Sequence, residues 1–139
     1  MQTALVDAGA MIALFDDADD FYERYTGIFN ELLSRRVQLV TTWPCVTEAS
    51  YSLAPKNHLA LLEWLQNGAV SIQNFSAADL QPMVGWMEQY TERSKTIMDF
   101  ADATLYWLAI ELKTTLVLTV DRRDFSRYRL PDGQAFEIL

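Results

Sequence analysis

Short apolar segments alternate with longer segments of helical periodicity along the whole chain, and this alternation constrains the fold more than any other feature. The apolar, partly β-branched segments that we predict as strands are residues 3–6, 37–42, 69–75, 115–120 and 135–139, the last at a sheet edge. The predicted helices are residues 8–15, 18–36, 57–66, 76–90 and 100–113, with a further helix after Pro44 that carries Glu48. Such alternation predicts an α/β fold, a three-layer α/β/α sandwich with a mostly parallel central sheet.

The length of 139 residues is that of one domain, and no linker or repeat interrupts the pattern. We therefore predict that residues 1–139 form a single domain. The longest apolar stretches, 8–15 and 105–110, are much shorter than the roughly 20 residues that cross a bilayer. No basic segment precedes an apolar run at the N-terminus. We expect a cytoplasmic protein with no membrane partner.

The chain has one cysteine, Cys45, and one histidine, His58. These counts exclude an intramolecular disulfide framework and a structural zinc site, and a Ser-His-Asp enzyme would need His58 itself. We expect Cys45 to be buried and His58 to be a surface or capping residue. The net charge of -8 points to carboxylate chemistry. It does not exclude a nucleic-acid partner, because a bound cation neutralises the acids that hold it.

Five acidic residues fall where the predicted topology brings side chains together. Asp7 ends the first strand and Asp121 the fourth, so both lie at the carboxyl edge of the sheet, where open parallel sheets bind ligands. Asp99 and Asp102 lie three residues apart at a helix start, and Glu48 lies about one turn into the helix after the second strand. Together they make an oxygen-only site that suits Mg²⁺ or Mn²⁺. Taken singly, each has a structural explanation as a helix cap, a turn residue or a solvated side chain.

Four short motifs contain these acids. They are Leu5-Val6-Asp7-Ala8, Val46-Thr47-Glu48-Ala49, Met98-Asp99-Phe100-Ala101-Asp102-Ala103 and Leu118-Thr119-Val120-Asp121-Arg122-Arg123-Asp124-Phe125. In this order, and over essentially the whole chain, they resemble the PIN domain, most closely the small toxin-like ribonucleases of the VapC type. The resemblance implies Mg²⁺- or Mn²⁺-dependent cleavage of single-stranded RNA. The catalytic and metal-binding acids that it implies are Asp7, Glu48, Asp102 and Asp121, with Asp99 as an additional member.

The resemblance also implies supporting residues and partners. Thr119 occupies the family's hydroxyl position and is a candidate to hydrogen-bond a metal ligand or a phosphate. Asp124 is a candidate to assist or replace Asp121. The implied partners are an RNA substrate, a cognate antitoxin protein that blocks the site, and a second copy of the chain in a homodimer.

Arginines crowd the segment just after Asp121, at Arg122, Arg123, Arg127 and Arg129. Guanidinium groups suit bidentate phosphate contacts, which makes these arginines candidate RNA-binding residues. The alternative is a solvated loop whose charges balance the nearby acids. If they do not bind RNA, the next residues to test are Arg93, Lys95 and Trp43.

Two further patterns allow both a structural and a functional interpretation. Trp43 is a candidate to stack on an unpaired base. The other tryptophans have the spacing of core-facing helical residues: Trp64, Trp86 and Trp107. Ser76 and Asp79 form a capping-box pattern, which explains Asp79 better than catalysis does.

Three functions remain open from the sequence. The first is a metal-dependent endoribonuclease that is the toxin of a type II toxin-antitoxin pair. The second is a housekeeping PIN nuclease that processes ribosomal or transfer RNA, and the third is a catalytically silent PIN module that binds RNA or protein. A silent module would have little reason to keep every acid. Phosphoacceptor receiver domains and haloacid-type phosphohydrolases require a second acid near the first strand, which Asp7-Ala8-Gly9 lacks.

Overall fold

The computed structural model describes residues 2–91 and 96–139. Its central sheet has five strands in the order β3-β2-β1-β4-β5, and every pairing between neighbouring strands is parallel. The strands are β1 (Thr3–Val6), β2 (Gln38–Thr41), β3 (Ser71–Ile72), β4 (Leu116–Leu118) and β5 (Glu137–Ile138). The predicted α/β fold with a mostly parallel sheet is confirmed.

Helices connect the strands and flank the sheet. They are α1 (Ala8–Phe15), α2 (Tyr22–Ser34), α3 (Trp43–Ser52), α4 (Pro55–Gln66), α5 (Leu80–Gln89), α6 (Phe100–Leu112) and α7 (Arg122–Arg127). The chain adds β2 on one side of β1 and returns to add β4 on the other. Because parallel crossovers are right-handed, this reversal places the connecting helices on both faces of the sheet. It also makes the β1/β4 boundary a topological switch point, where a crevice forms at the strand ends.

Two elements differ in their bounds from the sequence prediction. Helix α2 begins at Tyr22 rather than near residue 18, because the side chains of Asp16 and Asp19 accept hydrogen bonds from Ala18 N and Phe21 N at 3.0 and 2.8 Å. These Asx turns hold the preceding segment outside the helix. Strand β3 has two residues, much shorter than the predicted 69–75.

The segment after Asp121 is a short helix, α7. It is not the solvated loop that was the alternative interpretation of the arginines in this segment. Its six residues are too few for a periodic signal. Phe125 is its fully buried anchor and stacks edge-on against Phe136 at a centroid distance of 5.3 Å. This helix therefore has a fixed position over the end of the sheet.

The core is built from the apolar strands and from α6, whose residues 101–109 are all buried. Cys45 is fully buried, as predicted. Trp107 is buried and Trp64 and Trp86 pack against the core, also as predicted, whereas Trp43 is 51% exposed. Within residues 2–91 and 96–139, no helix combines the length and apolar character of a membrane span.

Candidate active site

Asp7 lies at the switch point, directly after β1. Its backbone N–H donates to Leu118 O at 2.9 Å, which ties the end of β1 to the end of β4. Its side chain caps α1, because Oδ1 accepts a hydrogen bond from Ala8 N at 2.8 Å. Asp7 is therefore a helix cap, which is one of the structural roles that the sequence allowed for it. Capping uses only part of a carboxylate, which has two oxygens and about four lone-pair positions.

Thr119 joins two of the predicted acids. Its hydroxyl donates to Asp7 Oδ2 at 2.6 Å and accepts a hydrogen bond from Asp121 N at 3.0 Å. Thr119 is fully buried, so its hydroxyl bonds to these protein groups rather than to solvent. Thr119 thus fixes the position of Asp7 relative to the loop that carries Asp121.

Asp102 is a buried carboxylate in the first turn of α6. Its Oδ2 accepts a hydrogen bond from the hydroxyl of Tyr128 at 2.7 Å. Asp99 is the N-cap of the same helix, and its Oδ1 accepts a hydrogen bond from Asp102 N at 2.8 Å. The two acids therefore differ in environment, since Asp99 is exposed and Asp102 is almost fully shielded from water.

Asp121 and Asp124 belong to one structural unit. Asp121 caps α7, and its Oδ1 accepts a hydrogen bond from Asp124 N at 3.2 Å. Carboxylate oxygens of Asp102, Asp121 and Asp124 all lie within 4.8 Å of one another. A cation that binds oxygen at about 2.1 Å holds its ligands roughly 3 to 4 Å apart, so a small adjustment brings these three into reach of one ion.

The electrostatics show that the acids act on one another. The pKa of Asp7 is raised to about 6, mainly by burial and also by the charges of Asp99 and Asp121, and against the lowering effect of its hydrogen bonds from Thr119 and Ala8. Burial also raises the pKa of Asp102 to about 9, with contributions from the charges of Asp7 and Asp99. Charged carboxylates at these positions repel one another in an environment that water does not screen.

The pKa values of two further acids of the predicted set, Asp121 and Glu48, are raised as well. Burial raises the pKa of Asp121, and so does its contact with Asp124. Glu48 lies exposed on α3, and its pKa is raised first by partial burial and then by the charges of Asp99, Asp7 and Asp121. All five predicted acids are therefore close enough to interact, with Asp124 as a sixth.

The donor set fits a hard divalent cation. Every candidate ligand is a carboxylate oxygen, and Asp7 and Asp102 are each 6% exposed. In the part of the chain that the structure describes, the ion pair at this cluster joins Arg127 Nη2 to Asp124 Oδ1 at 3.4 Å. One guanidinium does not balance this many acids, and an oxygen-only donor set of this kind suits a hard divalent cation.

The four arginines after Asp121 have different environments. Arg127 lies 5.4 Å from the ring centroid of Tyr128, donates to Tyr90 O at 3.2 Å and pairs with Asp124. Arg129 donates through Nη1 to two backbone carbonyls of its own segment, at 2.7 and 2.9 Å. Arg122 and Arg123 are exposed. Arg93 and Lys95, the next RNA-binding candidates, lie outside the described residues.

Sequence reasoning missed Tyr128. The ring is buried between Phe125 and Tyr90, with centroid distances of 5.2 and 5.1 Å, and this packing aims its hydroxyl at Asp102. Burial and the charge of Asp102 raise the pKa of Tyr128, so its hydroxyl remains a proton donor. The sequence carries no signal for this contact, because it joins residues that are 26 positions apart.

Residues that were assigned structural roles keep them. Ser76 and Asp79 form a capping box before a 3₁₀ turn at Ala77–Asp79, as predicted. His58 is partly buried in α4, with Nδ1 at 3.3 Å from Ser50 O. Neither Asp79 nor His58 contributes to the acidic cluster.

Comparisons with known proteins agree with this architecture. Ribonuclease VapC26 of Mycobacterium tuberculosis is 28% identical in an alignment 139 positions long, which covers 97% of this chain and 98% of the relative. The solved structure of M. tuberculosis VapC20, a sarcin-ricin loop cleaving toxin, has a TM-score of 0.71 at 14% identity and covers 87% of this chain and 92% of its own. VapBC2 from Rickettsia felis, solved with a DNA fragment from its promoter, has a TM-score of 0.66 at 18% identity over 99% of each chain. The family model of the PIN domain matches residues 4–130, and the chain therefore belongs to the PIN domain family.

Proposed function

We propose that this protein is a metal-dependent endoribonuclease that cleaves single-stranded RNA and acts as the toxin of a type II toxin-antitoxin pair. The observation that carries the proposal is the buried, incompletely neutralised group of carboxylates around Asp7 and Asp102. Membership of the PIN family and the full-length similarity to a protein named a ribonuclease support the same activity. Repulsion of this kind destabilises the charged forms of the acids, and a bound cation would relieve it.

The proposed metal ligands are the acids at the carboxyl edge of the sheet and on the helices beside it: Asp7, Glu48, Asp99, Asp102, Asp121 and Asp124. When bound, Mg²⁺ or Mn²⁺ would supply an activated water, orient the phosphodiester and neutralise charge that develops on it. Thr119 and Tyr128 are the residues that orient this set, because their hydroxyls fix Asp7 and Asp102. Outer partners of this kind are what hold ligand carboxylates in a productive geometry.

The exposed acids have a second role in this proposal. Glu48 and Asp99 are open to solvent, whereas Asp7 and Asp102 are shielded. A carboxylate that is in contact with water and not fully engaged in ligation can accept the proton of the attacking water. Partial burial and the neighbouring acids raise the pKa of Glu48, which suits this residue to act as the base.

The proposed partners are RNA, a cognate antitoxin and a second copy of the chain, all in the cytoplasm. The similarity to VapBC2, a pair solved with promoter DNA, supports an antitoxin partner. Exposed Arg122 and Arg123 are proposed to contact phosphate. Arg127 and Arg129 are weaker candidates, since their guanidinium groups already bind within the protein.

Cleavage assays on single-stranded RNA test the activity. Asp102→Asn should abolish Mg²⁺- or Mn²⁺-dependent cleavage, because an amide keeps the shape of the side chain and removes the charge that holds the metal. Asp79→Asn is the matched control and should cleave as the wild type does, since Asp79 serves a capping box outside the cluster. Equal loss in both variants, or cleavage that survives in chelator, would contradict the proposal. A wild-type protein that binds RNA without cleaving it would favour the silent module.

A genomic observation separates the two nuclease alternatives. A toxin requires an antitoxin gene, so an open reading frame for a small DNA-binding protein directly upstream is expected. Co-expression of that protein should suppress RNA cleavage. A housekeeping nuclease would lack this neighbour and would leave ribosomal or transfer RNA precursors unprocessed when deleted.

A further inference from the structure

A groove with largely apolar walls opens beside the acidic cluster. It has a volume of about 700 Å³ and runs between α3 and the start of α6. On α3, Trp43, Thr47 and Tyr51 are spaced four residues apart, so they form one row along the helix. Phe75 and Phe100 complete the aromatic lining. Four aromatic side chains thus line one groove, and the two helices that border it, α3 and α6, also carry acids of the candidate site.

The groove is continuous with the candidate active site. Glu48 projects from α3 and Asp99 caps α6, and both line this groove together with the aromatic residues. An RNA strand whose phosphate lay at the acids would therefore reach the groove with its neighbouring nucleotides.

Three aromatic side chains of the groove are exposed, and two of them, Trp43 and Phe100, are held in place. Trp43 is 51% exposed, Tyr51 92% and Phe100 41%. The indole N–H of Trp43 donates to Asn74 Oδ1 at 3.1 Å, which fixes the ring plane. Phe100 packs edge-on against Phe75 at a centroid distance of 5.8 Å and an angle of 88°. Fixed, exposed aromatic rings provide stacking platforms that require little reordering on binding.

The lining favours bases over phosphates. The charged residues among those that line the groove are Glu48 and Asp99, both acidic, so a phosphate inside it would be repelled. Every nucleobase, in contrast, offers an uncharged π-face that stacks on an aromatic ring. We propose that this groove is a base-binding subsite that stacks one or more unpaired bases next to the scissile phosphate. The proposal rests on the proposed function, because it presupposes an RNA strand at the acids.

The test is a binding cycle that varies the protein and the base together. All proteins carry Asp102→Asn so that RNA is not cleaved, and fluorescence anisotropy measures the affinity for a single-stranded oligoadenylate octamer and for an abasic octamer with the same backbone. Trp43→Ala and Tyr51→Ala should each bind the oligoadenylate about five- to a hundredfold more weakly, the range typical for loss of one stacking contact. Affinity for the abasic octamer should not change. Trp43→Phe, which keeps a stacking face, should restore most of the loss.

Leu33→Ala is the matched control. Leu33 is 49% exposed near the end of α2 that precedes β2, at the opposite edge of the sheet from the acids, and its removal should leave both affinities unchanged. Unaltered oligoadenylate binding in both aromatic variants would overturn the subsite while leaving the nuclease proposal intact. Equal weakening for both octamers would also overturn it, because the loss would not involve bases. If the aromatic variants bind both octamers as the wild type does but no longer bind a co-expressed antitoxin, the groove is a protein interface and not a base-binding subsite. Failure of the wild type to cleave any RNA would instead refute the proposed function.

Discussion

Replacing Asp7 with asparagine should stabilise the metal-free protein at neutral and higher pH. Asp7 is 6% exposed, and burial raises its pKa from 3.8 to about 6. Between these two values the native state binds more protons than the unfolded state, so the free energy of unfolding falls as pH rises through this window. Above pH 6 the loss is complete. Each pH unit of the window corresponds to 1.36 kcal/mol, which gives about 3 kcal/mol of destabilisation by the Asp7 charge.

Asparagine removes this charge and keeps most of the local structure. Asparagine is a good N-cap, so its side-chain oxygen can still accept the hydrogen bond from Ala8 N. The charge-assisted hydrogen bond from Thr119 is lost, which offsets about 1 kcal/mol or more of the gain. We expect a net stabilisation of about 1 to 2 kcal/mol, or roughly 3 to 8 °C in Tm for a domain of this size.

Thermal unfolding in chelator at pH 8 measures this effect. The Asp7→Asn variant should melt above the wild type at pH 8, and the two should converge towards pH 4.5, where Asp7 of the wild type is protonated. Asp79→Asn, which removes an exposed capping carboxylate, should not raise Tm at either pH. An Asp7→Asn variant that melts below the wild type at pH 8 would refute the argument that the empty cluster repels itself.

Three further outcomes follow from the same geometry. Millimolar Mg²⁺ or Mn²⁺ should raise the Tm of chelator-treated wild type and leave that of Asp7→Asn unchanged. At a metal concentration of a hundred times Kd, the expected gain in the free energy of unfolding is about 2.7 kcal/mol. An unchanged wild-type Tm would count against a metal site. Tyr128→Phe should weaken Mn²⁺ binding about 10- to 100-fold in a titration, because it removes the hydrogen bond to Asp102, and unaltered affinity would mean that Tyr128 serves packing alone. Replacing Arg122 and Arg123 together with glutamine should reduce the salt dependence of RNA binding by roughly 0.7 in logarithmic slope for each lost phosphate contact, and an unchanged slope would assign both to surface charge.

The sequence was sufficient to predict the layered α/β fold and the acids at the strand ends. Topology explains this success, since residues that follow parallel strands meet at one sheet edge whatever the details of packing. Asp7 and Asp121 could therefore be placed together although they are far apart in the chain. Their capping of α1 and α7 was also open to sequence reasoning as the structural alternative, and the structure shows that capping and membership of the cluster coexist.

The remaining features depend on tertiary contacts without local signals. Helix α7 is too short for periodicity to reveal, so the fixed environments of Arg127 and Arg129 could not be anticipated. The contact between Tyr128 and Asp102 requires the positions of two elements to be known to within an ångström. The aromatic groove likewise requires α3 and α6 to be placed side by side, although Trp43 alone was recognisable as a stacking candidate.

The most direct test of the central claim is an anomalous difference map from crystals of the wild-type protein soaked in Mn²⁺. The carboxylates of Asp7, Asp102, Asp121 and Asp124 should surround a strong peak at the ends of β1 and β4, and crystals of Asp102→Asn soaked identically should lack it. A map with no peak among these acids at saturating Mn²⁺, or with a peak held by other residues, would contradict the account.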